Sequence, residues 1–487
     1  PYVEEKAELS INDKSKLQAV AGLRSDMTFV QQSAYGNVSS LSPRFNAKYA
    51  YKGEKSQFVE NFAIRAGWGK SVKLPSFAVL YPTPSYSDKL AFAPGTMADG
   101  TTYYAYHVRP SDPKYNPNLR WQYNQQAEIG FEAKIKGVNV SVSLFNNKMI
   151  NSYNGVNEYS PFAYKLTDQS ALEGYPVPSV DRQYSIDRTT GIVTVHDKTG
   201  HFPDQTLAYI ERNQFKSDNT YINGSPAVRK GMEWIVDFGE IKPIRTSVRI
   251  DGNYYHYRGT EENLTQYSPA SQFMADGNPY KYVGFYVGGN SDANGKETKQ
   301  LNTNVTLVTH IPAIRLIVSL KMEATLYNSA QNLSENSAGQ RSFALSEKGD
   351  YVPATNQPDN IYNSSRFVAL YPLYYASMDD LETKIPFEEK FLWAKDNDRD
   401  LYNALASLVM KSNTDYYFNT NKVSGYYSAN ISVTKEIGDH VSVSFNATNF
   451  TNNIGLVNMA WNNTQQTLFR SSYIPQFYYG LSLKIKI

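Results

Sequence analysis

The chain has 487 residues, with 48 basic and 46 acidic side chains, a net charge of +2 and no cysteine. That balance offers no surface for a polyanion, which sets nucleic acid aside, and the missing thiols exclude disulfides and thiolate metal sites. No apolar run approaches the roughly 18 residues a membrane helix needs, so a membrane-spanning form would have to be a closed β-barrel; the 39 tyrosines and 23 phenylalanines would suit its aromatic girdles.

Alternating segments then recur along the chain. The start, Pro1-Tyr-Val-Glu-Glu, has neither the basic residues nor the apolar stretch of a secretory leader, and a short extended piece covers Tyr2–Leu9. Apolar side chains share one parity at Leu17, Ala19, Ala21 and Leu23, again at Phe45, Ala47, Tyr49 and Tyr51, and again at Phe62, Ile64, Ala66 and Trp68. Ala127, Ile129, Phe131 and Ala133 lead through a tight hairpin at Gly137 into Val138, Val140, Val142 and Leu144. Met232–Phe238 turns at Pro243 into Val248–Gly252, Leu301–Leu307 turns at Pro312 into Ile314–Met322, and Tyr427–Val433 turns at Gly438 into Val441–Ala447. The last segment sets Tyr479, Leu481, Leu483, Ile485 and Ile487 against Tyr478, Gly480, Ser482, Lys484 and Lys486. A strand sends successive side chains to opposite faces, so one face here is apolar and the other polar. On a soluble sheet the apolar face would be core; on an outer-membrane barrel it faces lipid and the polar face lines the lumen.

The connections decide between these. Short ones near Asn12, Gly53, Gly137, Pro243, Pro312 and Gly438 alternate with long ones over Ser71–Trp121, Asn151–Arg229, Arg258–Gln300 and Tyr327–Asp415. Short periplasmic turns and long extracellular loops are the barrel pattern, and a sandwich has no reason to gather its long loops at one end. Parity requires Tyr282–Gly288 to lie in an extracellular loop, which leaves about thirteen membrane strands, an odd number where single-chain bacterial barrels have even counts. The expectation is the C-terminal part of a transmembrane antiparallel barrel over residues 1–487, with its first strands missing. Leu401, Leu405 and Leu408 predict one helix, N-capped by Asp398 or Asp400, in the long loop before Asp415.

Tyr478, Gly480, Leu483, Ile485 and Ile487 resemble the C-terminal signal of outer-membrane barrels. Four further stretches resemble, in order, the barrel of TonB-dependent outer-membrane transporters of the Bacteroidetes type. They are Gly67-Trp-Gly through Pro75 to Leu80-Tyr81; Asn116-Pro117-Asn118-Leu119 followed by Glu128-Ile-Gly130; Gly231-Met-Glu233; and Phe445-Asn-Ala-Thr-Asn449-Phe450. The resemblance implies a complete barrel of about 22 strands, an N-terminal plug and a TonB-engaging motif outside this sequence, and energised import of a scarce or bulky nutrient. Arg120-Trp121 resembles the glycan-importing branch that works with a surface lipoprotein lid, whereas that branch's C-terminal landmarks are absent.

No catalytic constellation emerges, and neither a cofactor nor a metal site is expected. His196 and His201 beside Asp197 and Asp204 read as a solvated loop before they read as a metal site, and Asp396–Asp400 lacks the glycine and distal glutamate of a calcium loop. The richest extracellular loop holds Tyr81, Tyr86, Tyr103, Tyr104, Tyr106, His107 and Arg109, which are the candidate substrate-binding residues. His107, between the first two family landmarks, also sits where haem-importing relatives carry a ligand, although an exposed loop histidine is the plainer reading. Three functions stay open: active import, a passive barrel without a plug, and a surface-complex barrel that binds a partner lipoprotein.

Overall fold

The alternation read from the sequence becomes one antiparallel sheet of thirteen strands lying in chain order. In the computed structural model the described residues are 1–29, 37–54, 57–96, 100–110, 116–287, 295–333, 336–339, 343–346, 367–412, 420–423, 425–451, 457–458, 465–466 and 477–486. The strands are β1 (Tyr2–Asn12), β2 (Ser15–Phe29), β3 (Asn37–Lys52), β4 (Val59–Lys73), β5 (Gln122–Ile135), β6 (Val138–Ile150) and β7 (Ala227–Ile241). They continue with β8 (Thr246–Thr260), β9 (Gly295–Ile311), β10 (Leu316–Leu333), β11 (Tyr426–Ile437), β12 (Val441–Thr448) and β13 (Tyr478–Ile485). A short strand, Asn421–Val423, adds to the upper end of β10. Among the described residues, the outer edges of β1 and β13 have no strand partner.

The register keeps the two faces separate across the sheet. Leu17 lies opposite Tyr49, Tyr49 opposite Ile64, Ile64 opposite Phe131, and Phe131 opposite Val142. The same row continues through Trp234 to Gly252. At the far edge Val443 pairs with Leu483 and Val441 with Ile485. Leu17, Ile64, Phe131, Leu483 and Ile485 of these rows are exposed, Leu483 by 63%, and the others but Gly252 are half-buried, as expected of a face solvated by lipid rather than by a protein core. Ile487 lies outside the described residues.

The other face is polar and cross-linked. Lys48 reaches over β4 to Glu132 at 3.0 Å, Arg65 pairs with Glu128 at 3.1 Å, Lys134 with Glu60 at 3.0 Å, and Arg44 with Glu4. Two glycines of the family-like stretches belong to this face. Arg65 lies across Gly130, where an added Cβ would come 2.3 Å from its Nε. At Gly231 an added Cβ would meet the Tyr254 carbonyl at 2.2 Å and the Phe145 ring at 2.8 Å.

The short connections all fall at one end, as expected. Lys136 and Gly137 both take positive φ, 47° and 84°, which a two-residue hairpin of matching twist requires. At the other end the strands outrun the sequence reading. β9 has 17 residues and β10 has 18, against about 9–11 needed to cross a bilayer. Above the membrane the outward positions turn polar (Lys299, Glu297, Ser329, Gln331), so alternation stops while the ladder of hydrogen bonds continues.

The long loops fold into a layer of their own. Strands Tyr153–Leu166 and Ile210–Asn223 form a fourteen-pair hairpin above β6 and β7. Its tip carries a small sheet (Arg182–Ile186, Val193–Asp197, Gln205–Thr206) over a core of Phe92, Leu172, Val177, Val193, Val195 and Leu207. Tyr282–Val287 lies in this layer, as parity required, in a four-stranded sheet with Leu264–Tyr267, Tyr374–Ser377 and Asp380–Pro386. Phe215 of the hairpin packs with Val283, Phe285 and Ala376 of that sheet.

Helices α1 (Phe77–Leu80), α2 (Phe387–Asn397) and α3 (Arg399–Ala406) complete the layer. Asp398 caps α3 by accepting from the Leu401 N–H at 3.0 Å. The partner helix α2 buries Phe387, Phe391 and Ala394, an i, i+4, i+7 stripe that could have announced it. Tyr280 donates to the Ala404 carbonyl at 2.7 Å and Tyr286 to that of Leu408 at 2.6 Å, tying the helical pair to the sheet.

Two pairs of substitutions test this description in the full-length protein. Leu483→Asp should impair membrane assembly, at a cost of about 1–3 kcal/mol, while Ser482→Asp on the luminal face should not; equal assembly of both would refute the facing. Gly231→Val, which drives a methyl into a backbone carbonyl, should cost about 1–3 kcal/mol in urea unfolding of the assembled barrel. Gly130→Val meets only a side chain that can swing away and should cost less.

Candidate functional site

The loop between β4 and β5 holds the expected capture residues, and the fold distributes them over two faces of one hairpin. Strands Tyr86–Phe92 and Ala105–Pro110 pair with Lys89 opposite His107 and Ser87 opposite Arg109. Tyr86, Asp88 and Leu90 take the other face, opposite Pro110, Val108 and Tyr106.

The His107 face turns inward onto the long hairpin. Lys89 Nζ donates to the Phe215 carbonyl at 3.0 Å, and the Arg109 guanidinium lies 4.6 Å from the centre of the Phe162 ring. The His107 ring meets Tyr164 edge-on at 6.3 Å and fills the space beside Gly191. Its Nε2 is buried without a hydrogen-bond partner. His107 is therefore not the exposed loop residue of the sequence reading but a docking residue of the hairpin. Burial, with Arg109 and Lys165 adding positive charge nearby, pushes its pKa down. Beneath this contact the ammonium of Lys216 and the carboxylate of Asp218 form a buried ion pair at 3.3 Å, beside the Phe215 that alternates with them.

The opposite face is open. Tyr86, Tyr104 and Tyr106 are each more than half exposed, with Leu90 and Val108 between them. The rings of Tyr104 and Tyr106 lie 6.4 Å apart. Tyr103 is exposed just before the second strand, whereas Tyr81 follows α1 and packs its ring 4.9 Å from that of Phe77. The fold thus brings Tyr104 and Tyr106 together, places Tyr86 on the same face as Tyr106 at the other end of the strands, and separates these from His107, Arg109 and Tyr81. Asp99 and Tyr115 lie outside the described residues.

The loop histidines are engaged elsewhere. His196 places Nδ1 2.9 Å from an Asp204 oxygen and Nε2 2.6 Å from the Ser185 hydroxyl, so both ring nitrogens are occupied. Asp197 accepts from the N–H groups of Thr199, His201 and Phe202 and organises a turn. Below the layer, the inner wall of β2–β6 encloses a cavity of about 770 Å³ among polar side chains that include Gln18, Arg24, Arg44, Arg65, Gln126 and Glu128.

These features together (a lipid-facing sheet, a charged lumen and one folded layer above it) are those of a large outer-membrane barrel. A family model described as TonB dependent receptor-like, beta-barrel, matches residues 2–450. The chain belongs to this family. Barrels of the TonB-dependent receptors sit in the outer membrane, where the outward apolar face of this one is at home. No curated protein matches the chain. Among solved structures it is similar to a double mutant of the Serratia marcescens hemophore receptor HasR in complex with its hemophore HasA and heme. The identity is 8%, the TM-score is 0.19, and the match covers 93% of this chain and 65% of that one. A likeness of that size bears on neither fold nor ligand.

The half-buried histidine gives a pH test with a definite sign. The folded layer holds His107 neutral more strongly than the unfolded chain does, so its contribution is complete above about pH 6.5 and declines as pH falls below that value. The protection of the 86–110 hairpin against hydrogen exchange, taken relative to the intrinsic exchange rate at each pH, should fall on going from about pH 7.5 to about pH 5.5, and His107→Phe should remove that fall. Unchanged protection in the native protein would show that the ring is not sequestered.

Proposed function

We propose that this chain is the barrel wall and ligand-capturing layer of a transporter that imports a scarce or bulky nutrient across the outer membrane, using energy delivered through TonB. The observation that carries the reading is the sheet itself: its faces never exchange across thirteen strands, and the long connections gather at one end. Membership of the TonB-dependent receptor family supports it. In this reading strands outside the chain close the edges of β1 and β13, because an open edge cannot be satisfied in lipid. A plug and the TonB-engaging motif belong to the same outlying region.

Capture is assigned to the open face of the 86–110 hairpin, with Tyr86, Tyr104 and Tyr106 as the contact residues and Tyr103 at its margin. Aromatic faces with few charges give large contact area at low entropic cost and suit sugars, peptides and porphyrins. Haem binding on this face would rest on the tyrosines, since His107 points the other way. The same exposed face could seat a surface lipoprotein, the second reading that its exposure favours.

The test is Tyr86→Ser/Tyr104→Ser/Tyr106→Ser in the full-length transporter, beside deletion of residues 84–112. Both should lower uptake of the native nutrient by at least about tenfold, as loss of several aromatic contacts implies, while the barrel still assembles. Uptake should also vanish in cells without TonB. Normal uptake by the triple variant would remove the site, and uptake independent of TonB would remove the mechanism.

A further inference from the structure

The small sheet at the tip of the long hairpin has one apolar face and one polar face. Tyr184, Ile186, Val193 and Val195 lie on the core with Phe92, Leu172 and Leu207. Gln183, Ser185, Thr194 and His196 take the other face, with Gln183 opposite His196 and Ser185 opposite Thr194. Thr206 extends this polar face on the third strand, opposite Thr194.

Across the diagonal of the four residues the Ser185 hydroxyl lies 2.6 Å from His196 Nε2. On the other side of the ring Asp204 places a carboxylate oxygen 2.9 Å from Nδ1. An ionised carboxylate only accepts, so Nδ1 carries the ring proton and Nε2 is left to accept from the serine hydroxyl. A nucleophile, a base and a group that orients the base thus stand in the order that acyl transfer needs. The side chains of Gln183 and Thr194 flank Ser185 and make no hydrogen bond among the described residues. Packing does not account for the arrangement. The apolar face alone builds the core, and hydrogen bonds between groups as exposed as Ser185 and Asp204 add little stability.

We propose that Ser185, His196 and Asp204 hydrolyse small carboxylic esters at the outer surface of the layer. Ser185 Oγ attacks the ester carbonyl carbon while its proton passes to His196 Nε2. The bond from that carbon to the alcohol oxygen then breaks, and His196 gives the proton to the departing alkoxide. Water, losing a proton to the same nitrogen, attacks the acyl-serine. The carboxylic acid leaves, and His196 returns the proton to Ser185 Oγ. Gln183 Nε2 and the Thr194 hydroxyl are the donors for the oxyanion. Asp204 touches no reacting atom and is a positioning residue. The exposed face fixes the substrate class. A short acyl group projecting from a larger alcohol reaches Ser185, whereas a peptide bond needs a cleft to hold it.

The experiment uses the full-length protein purified in detergent, with p-nitrophenyl acetate as substrate and a fluorophosphonate probe as label. Wild type should release p-nitrophenol in a burst followed by steady turnover, and mass spectrometry should place the label on Ser185. Ser185→Ala should abolish labelling, and both it and His196→Gln should lower turnover by at least about a hundredfold, the scale of a positioned nucleophile and base. Asp204→Asn should lower kcat by about tenfold or more with KM unchanged, as expected of a group that acts only through the base. His201→Gln, on the neighbouring turn, should leave turnover at the wild-type rate. Turnover that survives in Ser185→Ala would show simple imidazole catalysis and overturn the proposal. A label on another residue, or none, would overturn it as well. The variants should keep the hydrogen-exchange protection of segment 182–206; if one loses it, the position of the label in wild type decides.

Discussion

Everything in this structure depends on the requirement that a backbone in hydrocarbon find its hydrogen bonds within the protein. A sheet meets it only strand by strand, and each pairing fixes which side chains share a face. A slip of one residue anywhere would carry every luminal charge beyond it into lipid. The rows from Leu17 to Gly252 and from Val443 to Leu483 each keep to one face, and in β10 the bulge opposite Leu301 and Asn302 moves the positions that share the apolar row from Met322 to Tyr327 without breaking the pairing. The luminal charges then pair with one another across neighbouring strands, as between Arg65 and Glu128. These pairs are partly exposed and contribute little stability singly; their role is to keep one face polar.

Above the membrane the rule changes. Water can satisfy the loop backbones there, so the layer is built by apolar packing around separate cores, two of which draw on the segment 153–223 while the third is made by the helical pair and its neighbours. Phe215 serves the core with Phe285, while Lys89 and Arg109 dock the aromatic hairpin on the same pair of strands. The face proposed for capture is thus carried on the long hairpin and left open on one side.

The transmembrane half was legible because its signal has a period of two and repeats in every strand. Parity alone put Tyr282–Val287 outside the membrane. What escaped was governed by other physics. The strand ends above the lipid, such as Lys296–Gln300 in β9, have no apolar face to alternate with, although their ladder is unbroken. The inward turn of His107 depends on Gly191 and Tyr164, which are remote in sequence and brought close only by the hairpin. Helix α2 did carry a stripe at Phe387, Phe391 and Ala394, but it opens after Pro386 with no side-chain cap to mark its start. The glycines of the family-like stretches also gained a physical meaning: Gly130 and Gly231 leave room for Arg65 and for the Tyr254 carbonyl.

The fourteen-pair hairpin between β6 and β7 also bears on how the protein is assembled. Its two strands are direct continuations of neighbours in the membrane sheet, so the insert leaves and returns at adjacent points. The entropy of closing so long a loop grows only logarithmically with its length, and pairing from Tyr153–Asn223 upward closes it progressively. The last pair of the zipper, Leu166 with Ile210, holds the two ends of the tip segment side by side.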